Sequence, residues 1–295
     1  MTVMERKART LFISDVHLGC RFAQPHLLLD FLRGIEPDKI YILGDFIDGW
    51  KLRSSFRWPA INSQILRHLF AMIERGTQVF YTPGNHDQFL RMDEVRGVLQ
   101  VAALNIHIAD EFVFEALDGR RFLVTHGDEF DVFESRALWL SHARYYIYDP
   151  MLSLDWYCSR LRRDPRRSPY ATCASIKGSV KRFIRFLSDF QRQLLEHARR
   201  QGCRGVICGH IHTPDLFHQD EMIYCNTGDW VENCTALVEY HDGAMRLESS
   251  YVHGNDAILP ISQAPQLPVA AREVMAHEIP CGPFPAVGPG TRCSA

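Results

Sequence analysis

The chain lacks a surplus of charge of either sign, and it lacks an apolar segment near its start. Its 295 residues carry 33 Lys and Arg against 35 Asp and Glu, a net charge of -2. Proteins that coat nucleic acids need clustered positive charge to neutralise phosphates, so this balance predicts no specific nucleic-acid partner. The segment from Met1 to Arg9 has charges but no secretory-type apolar region, and we expect neither export nor membrane spanning.

Cysteine pairs at the spacing of zinc or redox motifs are also absent. The nine cysteines include no Cys-x-x-Cys pair, and an odd number cannot all pair within one chain. Together with the missing signal segment, this usage predicts reduced thiols and a cytoplasmic protein. A hydrophobic content of 46% over this length can form one large core, so we expect a single domain with an insertion.

Short polar strings of metal-ligand type occur at intervals along the first two-thirds of the chain. They are Asp15-Val-His17, Gly44-Asp45-Phe-Ile-Asp48, Gly84-Asn85-His86-Asp87, His126-Gly-Asp128 and Gly209-His210-Ile-His212. Each follows a short apolar run rich in β-branched residues, such as Arg9 to Ser14 before the first string. Because α/β proteins place ligands in loops at the carboxyl ends of buried strands, these strings predict one shared site.

The residue types in the strings suit a pair of divalent cations. Imidazole nitrogen with carboxylate or amide oxygen accepts manganese, iron, zinc or cobalt, so the ligands alone do not choose the metal. Two ions about 3.5–4 Å apart can activate water, neutralise phosphate charge and align the leaving group. Asp45 can bridge both ions. Asp15 and His17 lie two residues apart, as do His210 and His212, so on extended strand ends each pair would grip one ion together.

In order and content, the strings resemble the signature of the calcineurin-like metallophosphoesterase superfamily, over about residues 9 to 212. The resemblance implies an α/β (α+β) fold, a four-layer αββα sandwich of two mixed sheets with a helical insertion. It implies one ion held by Asp15, His17, Asp45 and His212, and a second ion held by Asp45, Asn85, His126 and His210. It also implies a metal-bound hydroxide as nucleophile, with His86 stabilising the phosphoryl oxygen or protonating the leaving group and Asp48 fixing the tautomer of His86.

Within that superfamily, the sequences of segments Leu11–Leu18, Tyr41–Trp50 and Thr125–Asp128 are most similar to the UDP-2,3-diacylglucosamine hydrolase branch. That branch cleaves a lipid-linked pyrophosphate to release UMP in lipid A biosynthesis, using manganese-type ions and a helical lid. The resemblance therefore implies two Mn²⁺ ions and a lipid-linked nucleotide substrate.

His86 departs from that branch, which often has arginine at this position. A phosphate leaving group, whose own pKa is about 6, needs charge stabilisation more than a proton, whereas an alkoxide needs an acid. Phosphomonoesters and alkyl phosphodiesters of other lipids or nucleotides thus stay open as substrates. A non-catalytic scaffold is a third hypothesis, although the routes to that state delete a ligand or this histidine, and none is deleted here.

The pattern beyond the strings predicts the order of the elements. Strands and helices alternate up to Asn105, with helices over about His26–Arg33 and Ile61–Arg75. Asp118-Gly119 and Asp242-Gly243 each predict a β-hairpin later in the chain. We expect the catalytic domain to span 1–258 and a disordered tail, rich in Pro, Ala and Gly, to span 259–295.

A helical insertion is predicted over about 134–201, with basic residues at helical spacing. Lys181, Arg182 and Arg185 are the candidates for binding the substrate. One interpretation is a lid, or a patch that contacts the anionic inner membrane peripherally; the other is a solvated helix face with no such role.

Overall fold

A computed structural model describes residues 6–102, 105–131, 177–251 and 258–260 of the chain. All of these belong to the unit Met1–Ala264. The predicted tail from 259 onward lies outside the described residues except at its start, where Leu259 and Pro260 pair with Leu247 and Arg246 in a strand. The domain boundary at 258 falls within this strand and stays a prediction. Composition missed this strand because backbone pairing at a sheet edge needs no apolar periodicity.

The described β-strands form two sheets. The strands are β1 (Arg6–Ile13), β2 (Ile35–Leu43), β3 (Gln78–Thr82), β4 (Ile106–Ile108), β5 (Glu111–Glu115), β6 (Arg121–Thr125), β7 (Gly205–Cys208), β8 (Asp215–Gln219), β9 (Met222–Asn226), β10 (Thr235–Glu239), β11 (Met245–Ser249) and β12 (Ile258–Pro260). The first sheet has the order β12-β11-β10-β1-β2-β3-β4, and the second has the order β5-β6-β7-β9-β8. Each sheet contains parallel and antiparallel pairs, so both are mixed as expected.

The described helices are α1 (Pro25–Arg33), α2 (Gly49–Ser54), α3 (Ala60–Glu74), α4 (Asp93–Ala102) and α5 (Lys177–Arg200). Short 3₁₀ helices follow two of the polar strings, at Gln88–Arg91 and Asp128–Phe130. The predictions of helices over about 26–33 and 61–75 are confirmed by α1 and α3. In α1, proline at the first turn and leucines on one face explain the start and the buried side of the helix.

Both predicted hairpins are confirmed. β5 and β6 pair antiparallel with Glu111 opposite Thr125, and β10 and β11 pair antiparallel with Thr235 opposite Ser249. The turn of the first hairpin contains Gly119 at φ +83°, a conformation that glycine adopts without steric cost.

Three apolar layers stack the elements into a four-layer αββα sandwich. The layer between the sheets contains Phe12 and Leu43 from the first sheet and Phe122 and Ile207 from the second. Outside the first sheet, the core includes the buried faces of α1 and α3; outside the second, it includes Phe190 of α5 and its neighbours. The expected fold class is therefore confirmed, and the carboxyl ends of the parallel strands β1, β2 and β3 lie side by side.

The predicted insertion is described only from Lys177, where α5 runs to Arg200. The rest of the predicted helical segment lies outside the described residues. Among the helices that the structure describes, no long apolar helix able to span a bilayer is found.

Candidate metal centre

The loops after five strands meet at one end of the sandwich. Asp15 follows β1, Asp45 follows β2 and Asn85 follows β3, all from the first sheet. His126 follows β6, and His210 and His212 follow β7, from the second sheet. Asp15, Asp45 and His126 are almost wholly buried, at 0%, 2% and 1% exposure. The strand order thus brings together the side chains that the polar strings single out.

Left-handed backbone is concentrated at these loops. Asp15, His17 and Asp45 each have φ 51°, and His210 and His212 have φ 69° and 52°. Non-glycine residues pay about 1–2 kcal/mol for this conformation, which persists where the surroundings impose it. The expectation of an extended backbone at these pairs is therefore wrong. Strand β1 ends at Ile13, and the side chains converge because the backbone turns at both members of a pair.

The first donor group contains Asp15, His17, Asp45 and His212. Asp15 Oδ1 lies 3.1 Å from His212 Nε2, and His17 Nε2 lies 3.3 Å from the same nitrogen. His17 Nε2 is 3.9 Å from both Asp15 Oδ1 and Asp45 Oδ2. Ligand atoms that each lie about 2.0–2.2 Å from a shared ion are roughly 3–3.5 Å from one another. The separations among these donor atoms are similar, so a divalent ion fits between them.

The second donor group surrounds the other side of Asp45. His126 Nε2 lies 3.6 Å from Asp45 Oδ2 and 3.3 Å from Asn85 Oδ1. His126 Nδ1 is 2.7 Å from the carbonyl oxygen of Leu43, so a proton on Nδ1 leaves Nε2 to face the group. Asp45 Oδ2 therefore stands between one imidazole from each group.

His210 is near this second group but contacts a residue that the strings do not contain. Its ring centroid is 5.1 Å from that of His126, and its backbone N–H donates to Asp15 Oδ2 at 3.0 Å. Its Nε2 lies 3.1 Å from Oδ2 of the buried Asp131. A carboxylate at one imidazole nitrogen orients the other, which suits a metal-binding histidine. No sequence pattern marks Asp131, because it is a single acid outside any string.

The chemistry of the donors fits divalent cations. Asp15 Oδ1 is buried and makes no hydrogen bond of acceptable geometry within the described residues. Burial would raise the pKa of Asp15, but the surrounding imidazoles, His212 first, hold it below its ordinary value. Burial would lower the pKa of His126, but Asp45 and Asp15 raise it to about 9. Buried carboxylates need a positive partner. A bound cation would take that place, which a protonated imidazole fills when no cation is bound.

The donor atoms form three clusters in which every pair of atoms is within 4.8 Å. The clusters are Asp15 with His17 and His212, Asp15 with Asp45 and His126, and His17 with Asp45 and His86. The part of the chain that the structure describes thus has candidate His and Asp metal-binding groups centred on two carboxylates.

His86 contacts the predicted partner. Its Nδ1 is 3.0 Å from Asp48 Oδ1, and its backbone N–H donates to Asp45 Oδ1 at 2.8 Å. Burial would lower the pKa of His86, but Asp45 and Asp48 raise it above its ordinary value. The raised pKa favours the protonated ring, as a proton donor requires. Trp50, which sequence reasoning did not select, stacks on the same ring with centroids 4.2 Å apart.

Two carboxylates beside the donor residues hold the loops in place. Asp87 accepts hydrogen bonds from the backbone N–H of Gly84 at 2.6 Å and of Phe46 at 2.9 Å. Asp128 accepts two hydrogen bonds from the guanidinium of Arg91, at 2.8 and 2.9 Å, and so joins the loops after β3 and β6. These contacts explain why acids beside the donor residues need not bind an ion.

Gly84 lies where a side chain could not fit. A Cβ atom there would be 2.3 Å from Asp45 Oδ1 and 2.8 Å from His126 Nε2. The absence of a side chain thus allows two donors to approach the backbone closely.

Asp229, in the turn after β9, borders the first donor group. Its Oδ1 accepts the backbone N–H of Val231 at 2.7 Å, and its Oδ2 lies 3.9 Å from His212 Nδ1. The turn also donates the N–H of Trp230 to the carbonyl of Asp15 at 3.0 Å. The side chains of Lys181, Arg182 and Arg185, the candidates for substrate binding, lie outside the described residues.

Comparisons with known proteins agree with this geometry. The family model described as calcineurin-like phosphoesterase matches residues 8–214. The chain is 27% identical over 248 residues to the UDP-2,3-diacylglucosamine hydrolase of Neisseria meningitidis serogroup B, covering 79% of this chain and 95% of that protein. It is 26% identical over 220 residues to the enzyme of the same name from Yersinia pestis bv. Antiqua, covering 72% and 85%.

Among solved structures, the chain is similar to a Vps29 mutant from Entamoeba histolytica, with a TM-score of 0.44, 12% identity and coverage of 85% of this chain and 96% of that one. It is also similar to the phosphoesterase Yfce from E. coli, with a TM-score of 0.42, 14% identity and coverage of 85% and 98%.

Proposed function

This chain, a metal-dependent phosphoesterase, belongs to the calcineurin-like phosphoesterase family, and we propose that it uses two divalent ions to cleave the pyrophosphate of a UDP-2,3-diacylglucosamine-like lipid-linked nucleotide. The observation that carries the two-ion proposal is the position of Asp45. Its Oδ2 lies 3.9 Å from His17 Nε2 and 3.6 Å from His126 Nε2, so one carboxylate oxygen faces both donor groups. A shared carboxylate is the usual bridge of a two-metal site.

In this proposal, one ion would be bound by Asp15, His17, Asp45 and His212, and a second would be bound by Asp45, Asn85, His126 and His210. When bound, the ions supply Lewis acidity, which acidifies a water molecule and neutralises charge on the phosphoryl oxygens. Asp131 orients His210, since its carboxylate lies at Nε2 and leaves Nδ1 for the ion. We propose Mn²⁺ as the native metal, with Fe, Zn or Co compatible with the same donors.

His86 and Asp48 form the proton-transfer pair. Asp48 accepts a hydrogen bond from the protonated Nδ1 of His86. This contact fixes the tautomer of the imidazole and stabilises its charged form. His86 then donates from Nε2 to the departing oxygen, or stabilises a phosphoryl oxygen when the leaving group needs no proton.

The substrate proposal rests on the curated relatives named UDP-2,3-diacylglucosamine hydrolase, which match most of the chain. His86 favours a second candidate function, phosphomonoester or phosphodiester hydrolysis on another lipid or nucleotide, because only a poor leaving group needs an acid there. For the lipid-linked substrate, we propose a cytoplasmic enzyme that meets the inner membrane peripherally.

One comparison separates the two candidates. Manganese-reconstituted protein is incubated with UDP-2,3-diacylglucosamine and, separately, with lipid and nucleotide phosphomonoesters; release of UMP and of inorganic phosphate is measured. We expect UMP release from the first to exceed phosphate release from the others at least about 100-fold in kcat/KM, a specificity difference of about 2.7 kcal/mol. The reverse ranking would contradict the lipid-linked substrate. Inactivity on all of them with two ions bound would contradict the enzymatic function and favour the scaffold.

A further inference from the structure

Three consecutive residues contact three different parts of His86. Asp48 Oδ1 lies 3.0 Å from Nδ1 of the ring. The backbone N–H of Gly49 donates to the carbonyl oxygen of His86 at 3.1 Å. The indole of Trp50 stacks on the face of the imidazole, with ring centroids 4.2 Å apart and planes inclined by 28°. The ring nitrogen, the main chain and the ring face of His86 are thus each held by the start of α2.

Two further features hold the start of α2 against His86. The carboxylate of Asp48 also caps the helix, since its Oδ1 accepts the backbone N–H of Lys51 at 2.9 Å. A Cβ atom on Gly49 would lie 2.7 Å from the carbonyl oxygen of His86, so only glycine permits this approach. Trp50 therefore projects from a helical turn that is fastened to the main chain of the residue it covers.

The stack restrains a motion that the hydrogen bond leaves free. A single hydrogen bond at Nδ1 limits rotation of the ring about its Cβ–Cγ bond, but it bends easily and lets the ring plane tilt. Trp50 lies against one face, and His17 meets the ring edge-on, with centroids 4.6 Å apart and planes at 84°. Offset-stacked and edge-to-face contacts are both favourable for aromatic rings, so together they favour one plane of the imidazole.

We propose that Trp50 is a positioning residue, which holds the plane of His86 so that Nε2 can deliver a proton to a poor leaving group. The inference rests on the proposed function and deepens it, because it ties the range of leaving groups to one side chain. In the step concerned, a water oxygen forms a bond to phosphorus while the bond to the leaving oxygen breaks. That oxygen takes the electron pair and the proton of His86 Nε2, and the ring becomes neutral.

The test varies the leaving group. Phenyl phosphate releases an alcohol with a pKa of about 10, like that of tyrosine, and needs the proton; p-nitrophenyl phosphate releases a stabilised anion and needs it much less. In Trp50→Leu, we expect kcat for phenyl phosphate to fall about 10- to 100-fold, because misplacing a catalytic group by about 1 Å costs up to that much. For p-nitrophenyl phosphate, kcat should fall less than about threefold. KM for both esters and the content of two ions should stay within about twofold of the wild-type values.

Conservative and matched variants make the result specific. Trp50→Phe keeps an aromatic face and should recover phenyl phosphate turnover to within about threefold of wild type. His86→Ala defines the full loss that the acid can cause. Phe56→Leu removes a neighbouring aromatic side chain that is 78% exposed, and it should leave both rates unchanged. Equal losses on the two esters in Trp50→Leu, or failure of Trp50→Phe to recover activity, would overturn the positioning role.

A readout without turnover separates this inference from the proposed function. In histidine-labelled protein loaded with diamagnetic Zn²⁺, the ring protons of His86, assigned through His86→Ala, should appear upfield because the indole lies over them. They should move downfield in Trp50→Leu and much less in Trp50→Phe. An unshifted His86 signal in the wild type would overturn the stack. A shifted signal in a protein that holds two ions and hydrolyses neither these esters nor UDP-2,3-diacylglucosamine would instead contradict the proposed function.

Discussion

Asp45 is the residue on which the two-ion proposal depends most, because its Oδ2 faces an imidazole from each donor group. Its own surroundings keep it charged: burial would raise its pKa, but His126 and the other imidazoles lower it. A charged carboxylate that is 2% exposed is costly unless cations surround it. The residue is therefore better suited to sharing ions than to supporting the loop.

Replacing Asp45 should remove both ions at once. In Asp45→Ala, we expect the metal content of dialysed protein to fall from about two ions per chain to less than one, because the bridge serves both groups. Elemental analysis after loading with Mn²⁺ measures this. Asp118→Ala is the matched control, since Asp118 pairs only with Arg120 at an exposed hairpin turn. Two tightly held ions in Asp45→Ala would contradict the bridging assignment.

His126 should make metal binding depend on pH. Its pKa is about 9 in the metal-free centre, since Asp45 and Asp15 raise it against the effect of burial. At pH 7 the ring is protonated, and an ion must displace that proton; the carboxylates, whose pKa values are lowered, release none. Affinity should therefore rise with pH, by about tenfold per unit, and level off near pH 9.

Calorimetry in buffers of different ionisation enthalpy measures the protons released on binding Mn²⁺. At pH 7 we expect about one proton from His126, and His126→Gln should remove it. Binding at pH 7 that releases no proton would show that the ring is neutral before the ion arrives.

At the level of elements, α5, the described part of the predicted insertion, packs beside the metal centre. Phe190 is 1% exposed and belongs to the core on the outer face of the second sheet. Its ring centroid is 6.0 Å from that of His210, and a Cβ atom on Gly127 would be 3.0 Å from its ring. The helix thus packs directly behind the loops after β6 and β7.

Truncating this side chain should destabilise the domain. In Phe190→Ala, the free energy of unfolding should fall by about 3–5 kcal/mol, because a large buried ring leaves a cavity. Chemical denaturation with an unchanged m-value measures the loss. Phe70→Ala on α3 is the matched control; Phe70 is 52% exposed, and its loss should change stability by less than about 0.5 kcal/mol. Equal effects of the two substitutions would contradict the packing role.

The elements show what a sequence can and cannot predict. The strand before Asp15 and the helix α3 were predictable, because apolar spacing reports a buried face directly. The left-handed turns at the ligands were not, since arguments from alternation assume an extended backbone. Asp131 escaped prediction for another reason: it meets His210 across 79 residues of chain, and no local pattern encodes such a contact. The contact of Trp50 with His86 was not predictable either, because a tryptophan next to a polar string is typical of an ordinary core residue.

At the scale of the whole domain, the metal centre joins the two sheets. Asp15, Asp45 and Asn85 come from loops of the first sheet, whereas His126 and His210 come from loops of the second. Ions shared between these loops would fasten the sheets together at one end of the sandwich. They would also neutralise the buried carboxylates and compensate for the left-handed backbone that holds them.

Metal removal should therefore lower the stability of the entire domain rather than of one loop. A ligand that binds only the folded state stabilises it by about 2.7 kcal/mol at 100 times its dissociation constant, so chelation should lower the unfolding midpoint by several degrees. Calorimetric unfolding with excess Mn²⁺ and with a chelator measures the difference. The Asp45→Ala variant should respond much less to chelation, because it retains less than one ion per chain. If the wild-type midpoint does not respond to chelation, then the loops are joined without ions, and the contacts of Asp131, Asp128 and Asp87 alone must hold them.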